Sequence, residues 1–224
     1  MTVGSREDYR VGTPSLDVLG TMDIAVDSSS GSLVSDINIA LASAGVQLTP
    51  YDSIVGVVSS APDDEVIRLL PGRYRILSTI EIKGPVTIEG VGNVRLVSEG
   101  TAIRVTGSRV TVRGISFEQT GTTDSSTVTL DGTFGAIDEC VFIGKQTNGV
   151  LVNANNCAVR NSRFVPDVSQ GSVDADIYWA DAANDGIALG NMWSGERGYV
   201  ISYKSGTDFT EAANAKPAAI EARV

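Results

Sequence analysis

The spacing of apolar residues changes along the chain. From Asp8 to Thr21 no period is sustained and Gly12, Pro14 and Gly20 interrupt the run, which predicts an extended arm. Ser28-Ser29-Ser30-Gly31-Ser32 reads as a flexible link. Leu33, Ile37, Leu41 and Ala44 then recur at helical spacing, with Ser32 or Ser35 available as N-cap and Gly45 as a stop, so a helix is predicted over Ser32 to Ala44. Its narrow, alanine-rich stripe suits a cap over the open end of a strand domain, with a partner-docking helix as the alternative. From Val66 onward the period shortens to two. Val66-Ile67-Arg68-Leu69-Leu70 ends at Pro71-Gly72; Tyr74, Ile76, Ile80 and Ile82 follow before Gly84-Pro85, and Val86 to Gly90 comes next.

These runs repeat. Ile88, Val112, Ile137, Val159 and Leu189 stand at equivalent positions, separated by 24, 25, 22 and 30 residues. Phe117, Phe142, Phe164 and Trp193 form a second series, and Ile103, Val128, Val150, Ile177 and Val200 a third. The implication is three short strands per repeat. Stacked single coils explain it, each laying its apolar residues over those of a neighbour about 4.8 Å away, with backbone hydrogen bonds between coils. Leucine-rich repeats share the period, but their Leu-x-x-Leu-x-Leu spacing is missing, and a propeller blade needs about 40 residues. Alternation turns Val110 and Val112 inward and Thr111 and Arg113 to water. The aromatic series is therefore expected as an internal stack, with a sugar-binding platform as the alternative. The predicted architecture is all-β: a right-handed parallel β-helix of about six coils over residues 51–208. An N-terminal extended arm and short capping helix occupy 1–50, and a tail occupies 209–224.

Composition narrows the function. Gly contributes 24 of 224 residues, above the usual share of about 7%, so many tight turns are expected. The formal charge is −10 and the 17 Lys and Arg are scattered, which leaves no positive field for a nucleic-acid backbone. Met1 to Arg10 has no apolar export core, and the apolar run Ser53 to Val58 is far shorter than the roughly 20 residues of a membrane span. Cys140 and Cys157 lie in strand-like segments and are expected as buried free thiols. The chain has no histidine, which removes Ser-His-Asp and Cys-His catalysis and zinc sites built on His. No phosphate loop follows the corner glycines Gly90 and Gly92, and no cofactor is predicted. Asp131-Gly132, Asn148-Gly149 and Asp185-Gly186 read as turn pairs.

One dense acidic group remains, Asp174, Asp176, Asp181 and Asp185, in the longest repeat and beside Tyr178 and Trp179. Solubilising a turn-rich loop is its simplest role. A calcium site or a carboxylate pair for glycoside hydrolysis are the alternatives. Alternation can bury only one of Tyr178 and Trp179 fully, so the other is expected to face a ligand or partner.

The segment Ile67-Arg-Leu-Leu-Pro71-Gly72-Arg-Tyr74-Arg-Ile, with Ile80-Glu-Ile82 and Pro85-Val86-Thr87-Ile88-Glu-Gly90, resembles the opening coils of the pectate-lyase-like β-helix superfamily. Val112-Arg-Gly114-Ile-Ser-Phe117 and Val159-Arg-Asn161-Ser-Arg-Phe164 resemble its later coils, and the likeness covers roughly residues 63–205. Members acting on polygalacturonate would carry Asn-Thr-Asp, Gly-His-Gly and Arg-Ile-Lys motifs, and none of the three occurs here. The resemblance extends to virion surface proteins of tailed bacteriophages, made in the host cytoplasm and usually trimeric. It implies a non-enzymatic capsid decoration or cement homotrimer at the virion surface, bound through its N-terminal arm to a major capsid or tail protein. A tail fibre or tailspike-like binder of host glycan is the first alternative, and a polysaccharide lyase or glycoside hydrolase the second.

Overall fold

The computed structural model describes residues 45–121, 125–144, 148–166, 175–180, 183–193, 201–203, 209–212 and 214. The chain divides into two compact units, Met1–Ala42 and Ser43–Val224, and all described residues belong to the second. The arm and the helix predicted over Ser32 to Ala44 lie outside the described residues.

Among the described residues three parallel sheets run along the molecule. The first has eight strands, in the order Val46–Leu48, Val66–Leu69, Thr87–Gly90, Thr111–Arg113, Ala136–Asp138, Ala158–Arg160, Gly186–Leu189 and Phe209–Ala212. The second has six, from Gly72–Ile76 through Val94–Ser98, Ser116–Gln119, Val141–Gly144 and Arg163–Pro166 to Met192–Trp193. The third also has six, from Ile80–Ile82 through Ile103–Val105, Val128–Leu130, Asn148–Val152 and Ala175–Trp179 to Ile201–Tyr203. Consecutive strands pass from sheet to sheet, and each pairs in parallel with the strand one coil away. The fold is a parallel β-solenoid. No coil buries its apolar side chains alone; stacking makes one continuous core.

Register follows the inward columns. Ile67, Ile88, Val112, Ile137 and Val159 pair in succession and are fully buried. In the second sheet Tyr74, Leu96, Phe117, Phe142, Phe164 and Trp193 do the same. The first column departs from expectation at its end: Val159 pairs with Ala188, while Leu189 pairs with Arg160 and is 38% exposed. The cause is volume. Trp179 in the third sheet is wholly buried, and a β-carbon added at Gly186 would run into its indole ring. The facing strand must be small where that ring lies, and a register shifted by one to bring Leu189 inward would carry Ile187 to the place of Gly186 and overpack the coil. The third column continues from Ile177 to Ile201, not Val200, which lies outside the described residues.

Two boundaries also move. Val46–Leu48 pairs with Ile67 to Leu69, so the first strand falls inside the segment 1–50 assigned to the arm, and Phe209–Ala212 is a strand of the first sheet instead of a tail. The apolar run after Ser53 forms a helix, Ile54–Ser60. The Ser53 side chain accepts from the Gly56 amide at 3.4 Å as N-cap, and Ile54 and Val58, one turn apart, bury their side chains against the strand Ile80–Ile82. Asn148-Gly149 opens a strand and is not a turn. A side chain at Gly149 would meet the Phe164 ring at 2.7 Å, which explains the glycine.

The corners carry a second signature of register. Asp64, Arg109, Phe134, Asn156 and Asp185 all adopt left-handed backbone, with φ between 55° and 62°, and each precedes its first-sheet column residue by three. Gly114, Glu139, Asn161 and Gly190 do likewise two residues after the column. Both sets count from Ala188, not Leu189, which agrees with the pairing.

Candidate functional site

The acidic repeat does not assemble one surface. Asp174 and Asp181 lie outside the described residues. Asp176 is 2% exposed and Trp179 is fully buried, so neither serves as an exposed contact. Tyr178, on the opposite side of its strand from Trp179, is half-buried, and Asp185 is an exposed left-handed turn residue. Core packing claimed the larger aromatic because Gly186 leaves room for it. The rings of Phe117, Phe142, Phe164 and Trp193 stack inside, with centroids 5.1, 4.9 and 5.6 Å apart and interplanar angles of 12°, 6° and 13°. That column is core and offers no external platform.

The outward side chains are ordered by charge. Along the first sheet Arg68, Glu89, Arg113, Asp138 and Arg160 lie side by side in adjacent coils. Glu89 holds Arg68 at 3.3 Å and Arg113 at 2.9 Å, and Asp138 holds Arg160 at 3.3 Å and accepts from Asn161 Nδ2 at 3.0 Å. On the third face Asp131 accepts from Arg104 Nε at 2.6 Å and Asn153 Nδ2 at 2.7 Å. Each of these carboxylates ties its coil to a neighbour.

A buried polar ladder follows the corner between the first and second sheets. Ser162 Oγ accepts from the Cys140 amide at 3.2 Å, Asn191 Oδ1 accepts from the Ser162 amide at 3.0 Å, and Asn214 Oδ1 accepts from the Asn191 amide at 2.9 Å. Side chains thus satisfy amides that the corner turns away from the sheets. Both cysteines are buried free thiols. Burial pushes the Cys140 thiol up to about 12, and it lies 3.3 Å from the Asp138 carbonyl; burial also raises Cys157. A thiol held protonated is neither nucleophile nor metal ligand.

The second face differs. Here Arg73 stands beside Arg95, and Arg75 beside Val97. Glu118 answers the first two, at 3.4 Å and 3.1 Å. Where this sheet turns toward the third, a groove of about 520 Å³ opens, lined by Arg73, Arg75, Leu77, Thr79, Val97 and Thr101 among others. Leu77 is 83% exposed at its lip, and Val97 is buried although it is on the outward side. Sequence reasoning passed over this place. Its signal was present in Arg73, Arg75 and Arg95, but which of them adjoin depends on register. Among the described residues no three His, Cys, Asp or Glu side chains are grouped to hold a metal ion, and no helix is long and apolar enough to cross a membrane.

No family model and no curated protein matches the chain. Among solved structures it is similar to ORF18 of Geobacillus virus E2, at 11% identity and a TM-score of 0.54, over 84% of this chain and 45% of that one. The chain thus spans less than half the length of that viral protein. A pectin methylesterase mutant in complex with a hexasaccharide aligns at 10% identity and a TM-score of 0.40, over 74% of this chain and 85% of that one. The pectin methylesterase of Aspergillus niger aligns at 11% and 0.34, over 77% and 85%. The viral likeness bears on the fold, a parallel β-solenoid; at such identity it does not extend to chemistry.

Proposed function

We propose, from a parallel β-solenoid whose outward charges serve its own stacking, that this chain is a non-enzymatic virion surface protein of a tailed bacteriophage. In this reading it is a trimeric decoration or cement subunit that binds and stabilises the shell. Its coils are right-handed, the hand that parallel crossovers take in almost every case.

The observation that carries the reading is the use made of the carboxylates. Glu89, Glu118, Asp131 and Asp138 each engage two partners, and seven ion pairs bind outward side chains of the described residues. Acids spent on clamping coils suit a stiff scaffold, whereas acid–base chemistry needs a group aimed at a substrate. The fold shared with a protein of Geobacillus virus E2 supports the viral setting.

The mechanism is adhesive. Apolar area buried between protomers and against the shell contributes roughly 25 cal/mol per Å² before ordering costs. Residues 1–42 are a separate unit and supply the attachment to a major capsid or tail protein. The test is to purify particles and quantify this chain in them, then repeat with residues 1–42 deleted. Many copies per particle, lost on deletion while the solenoid stays folded, is the expected result. Absence of the chain from particles would sink the reading, and a few copies confined to tails would favour the fibre alternative.

A further inference from the structure

We propose that the groove beside Arg75 is a binding site for a ligand presenting a carboxylate or phosphate group. The inference goes beyond the virion reading and does not depend on it.

On the first face every outward arginine of the charge row lies beside an acid in a neighbouring coil: Arg68 by Glu89, Arg113 by Glu89 and by Asp138, and Arg160 by Asp138. The second face breaks the rule twice in adjacent positions. Arg73 lies directly beside Arg95, and like charges opposite one another destabilise a sheet. Arg75 lies beside Val97, where the pattern calls for an acid. Glu118 relieves the first breach; among the described residues Arg75 has no acidic partner. Local rules that fail together mark a place shaped by something other than stability.

Both breaches border the groove. A volume of about 520 Å³ lies within the range of small-ligand sites, about 300–1,000 Å³. Its charged lining is Arg73, Arg75 and Glu99, and since Arg73 is held by Glu118, Arg75 is the guanidinium the groove offers a ligand. The guanidinium of Arg75 offers a planar fork matched to the paired oxygens of a carboxylate or phosphate. Around it Thr79 Oγ1 donates to the Thr101 carbonyl at 3.0 Å and Thr120 Oγ1 to the Ser98 carbonyl at 3.3 Å. These hydroxyls are therefore fixed, and the oxygen of each still accepts from a ligand hydroxyl. Val97 forms an apolar floor and Leu77 an apolar lip for the ligand's body. Arg73, Arg75 and Val97 stand on strands of the second sheet, while Leu77, Thr79, Thr101 and Thr120 belong to the segments that follow or join the strands.

The experiment uses the full chain, isotopically labelled, with amide chemical shifts followed during titration with inorganic phosphate, acetate and the neutral isostere acetamide. Phosphate or acetate is expected to shift amides at Arg75, Leu77, Ser78, Thr79 and Thr101 saturably, weakening as salt is added, with acetamide inert. Whichever anion binds more tightly identifies the group the ligand carries. Arg75→Ala should weaken binding about tenfold or more, and Arg75→Lys should fall between, because it keeps the charge and loses the fork. Arg109→Ala, an exposed arginine also without an acidic partner among the described residues but on another corner, should leave the affinity unchanged. Equal shifts with acetamide, no saturable shift with either anion, or undiminished binding by Arg75→Ala would overturn the proposal.

Discussion

At the scale of the residue, the most instructive group is Trp179, Gly186 and Ala188. Alternation places each on the inward side of its strand, yet their sizes are set against one another across the core. A fully buried tryptophan leaves no room opposite, so the facing strand carries glycine where the ring lies, with the small Ala188 as its next inward residue. Gly186→Ala should therefore destabilise by about 1–3 kcal/mol, the usual penalty for overpacking, measured as a lowered denaturant midpoint at unchanged slope. Adding Trp179→Leu to that variant should cost less than the sum of the two single changes, because the second vacates the space the first needs. Strict additivity would mean that the ring and the glycine do not share one volume.

The elements are short, most of them three to five residues, and none has enough contacts to choose a register alone. Register comes from what neighbouring coils do to each other. Inside, β-branched and aromatic columns align; outside, the row Arg68, Glu89, Arg113, Asp138, Arg160 alternates in sign, so a slip by one residue would both expose the column and scramble the pairs. Each pair is partly exposed, with side-chain accessibilities of 24% for Glu89 and 47% for Arg113, so its worth is modest. Glu89→Gln should cost about 0.5–1 kcal/mol, with the loss shrinking in concentrated salt. Glu89→Lys should cost more, since it sets three cations in adjacent coils. Thermal melts at low and high salt would check both, and a salt-independent loss would show that packing, not charge, is responsible.

For the whole molecule, the closing of the first coils on the core has a pH signature. The Tyr74 hydroxyl lies 2.6 Å from the Leu48 carbonyl and 2.8 Å from that of Leu70, tying the first strand to the turn at Pro71. Burial, with Asp52 adding to it, pushes this phenol up to about 12 from 10.0, and burial pushes the Cys140 thiol up to about 12 from 9.0. Both groups keep their protons in the folded state where the unfolded chain releases them. Their contribution is complete below the unfolded values and is lost as pH rises toward the folded ones. Stability should therefore hold to about pH 9 and fall between pH 9 and 12, and Tyr74→Phe should flatten the part of that fall above pH 10 while lowering the plateau. An alkaline profile identical in the variant would remove Tyr74 from this account.

How much of this was legible beforehand follows from where each cause acts. The three series, the Phe117 to Trp193 stack, the buried cysteines and the turn at Asp185 could be read from the chain, because burial acts on single side chains and alternation records it at a fixed period. Hydrophobicity favours Leu189 over Ala188 for the column, and only the indole of Trp179, contributed by another sheet and set against Gly186, fixes the register that turns Ala188 inward. The strand Val46–Leu48 is not legible in the chain because three residues carry almost no period; its pairing with Ile67 to Leu69 is what makes it a strand. The groove was invisible for a related reason: it depends on Arg73 meeting Arg95 and Arg75 meeting Val97, neighbours 22 residues apart. Sequence alone determined the coil, its inward faces and its aromatic core, for these need only local periodicity. Tertiary structure decided register, volume sharing between sheets and the site on the second face, since each is a relation between residues that only the stacking of coils brings together.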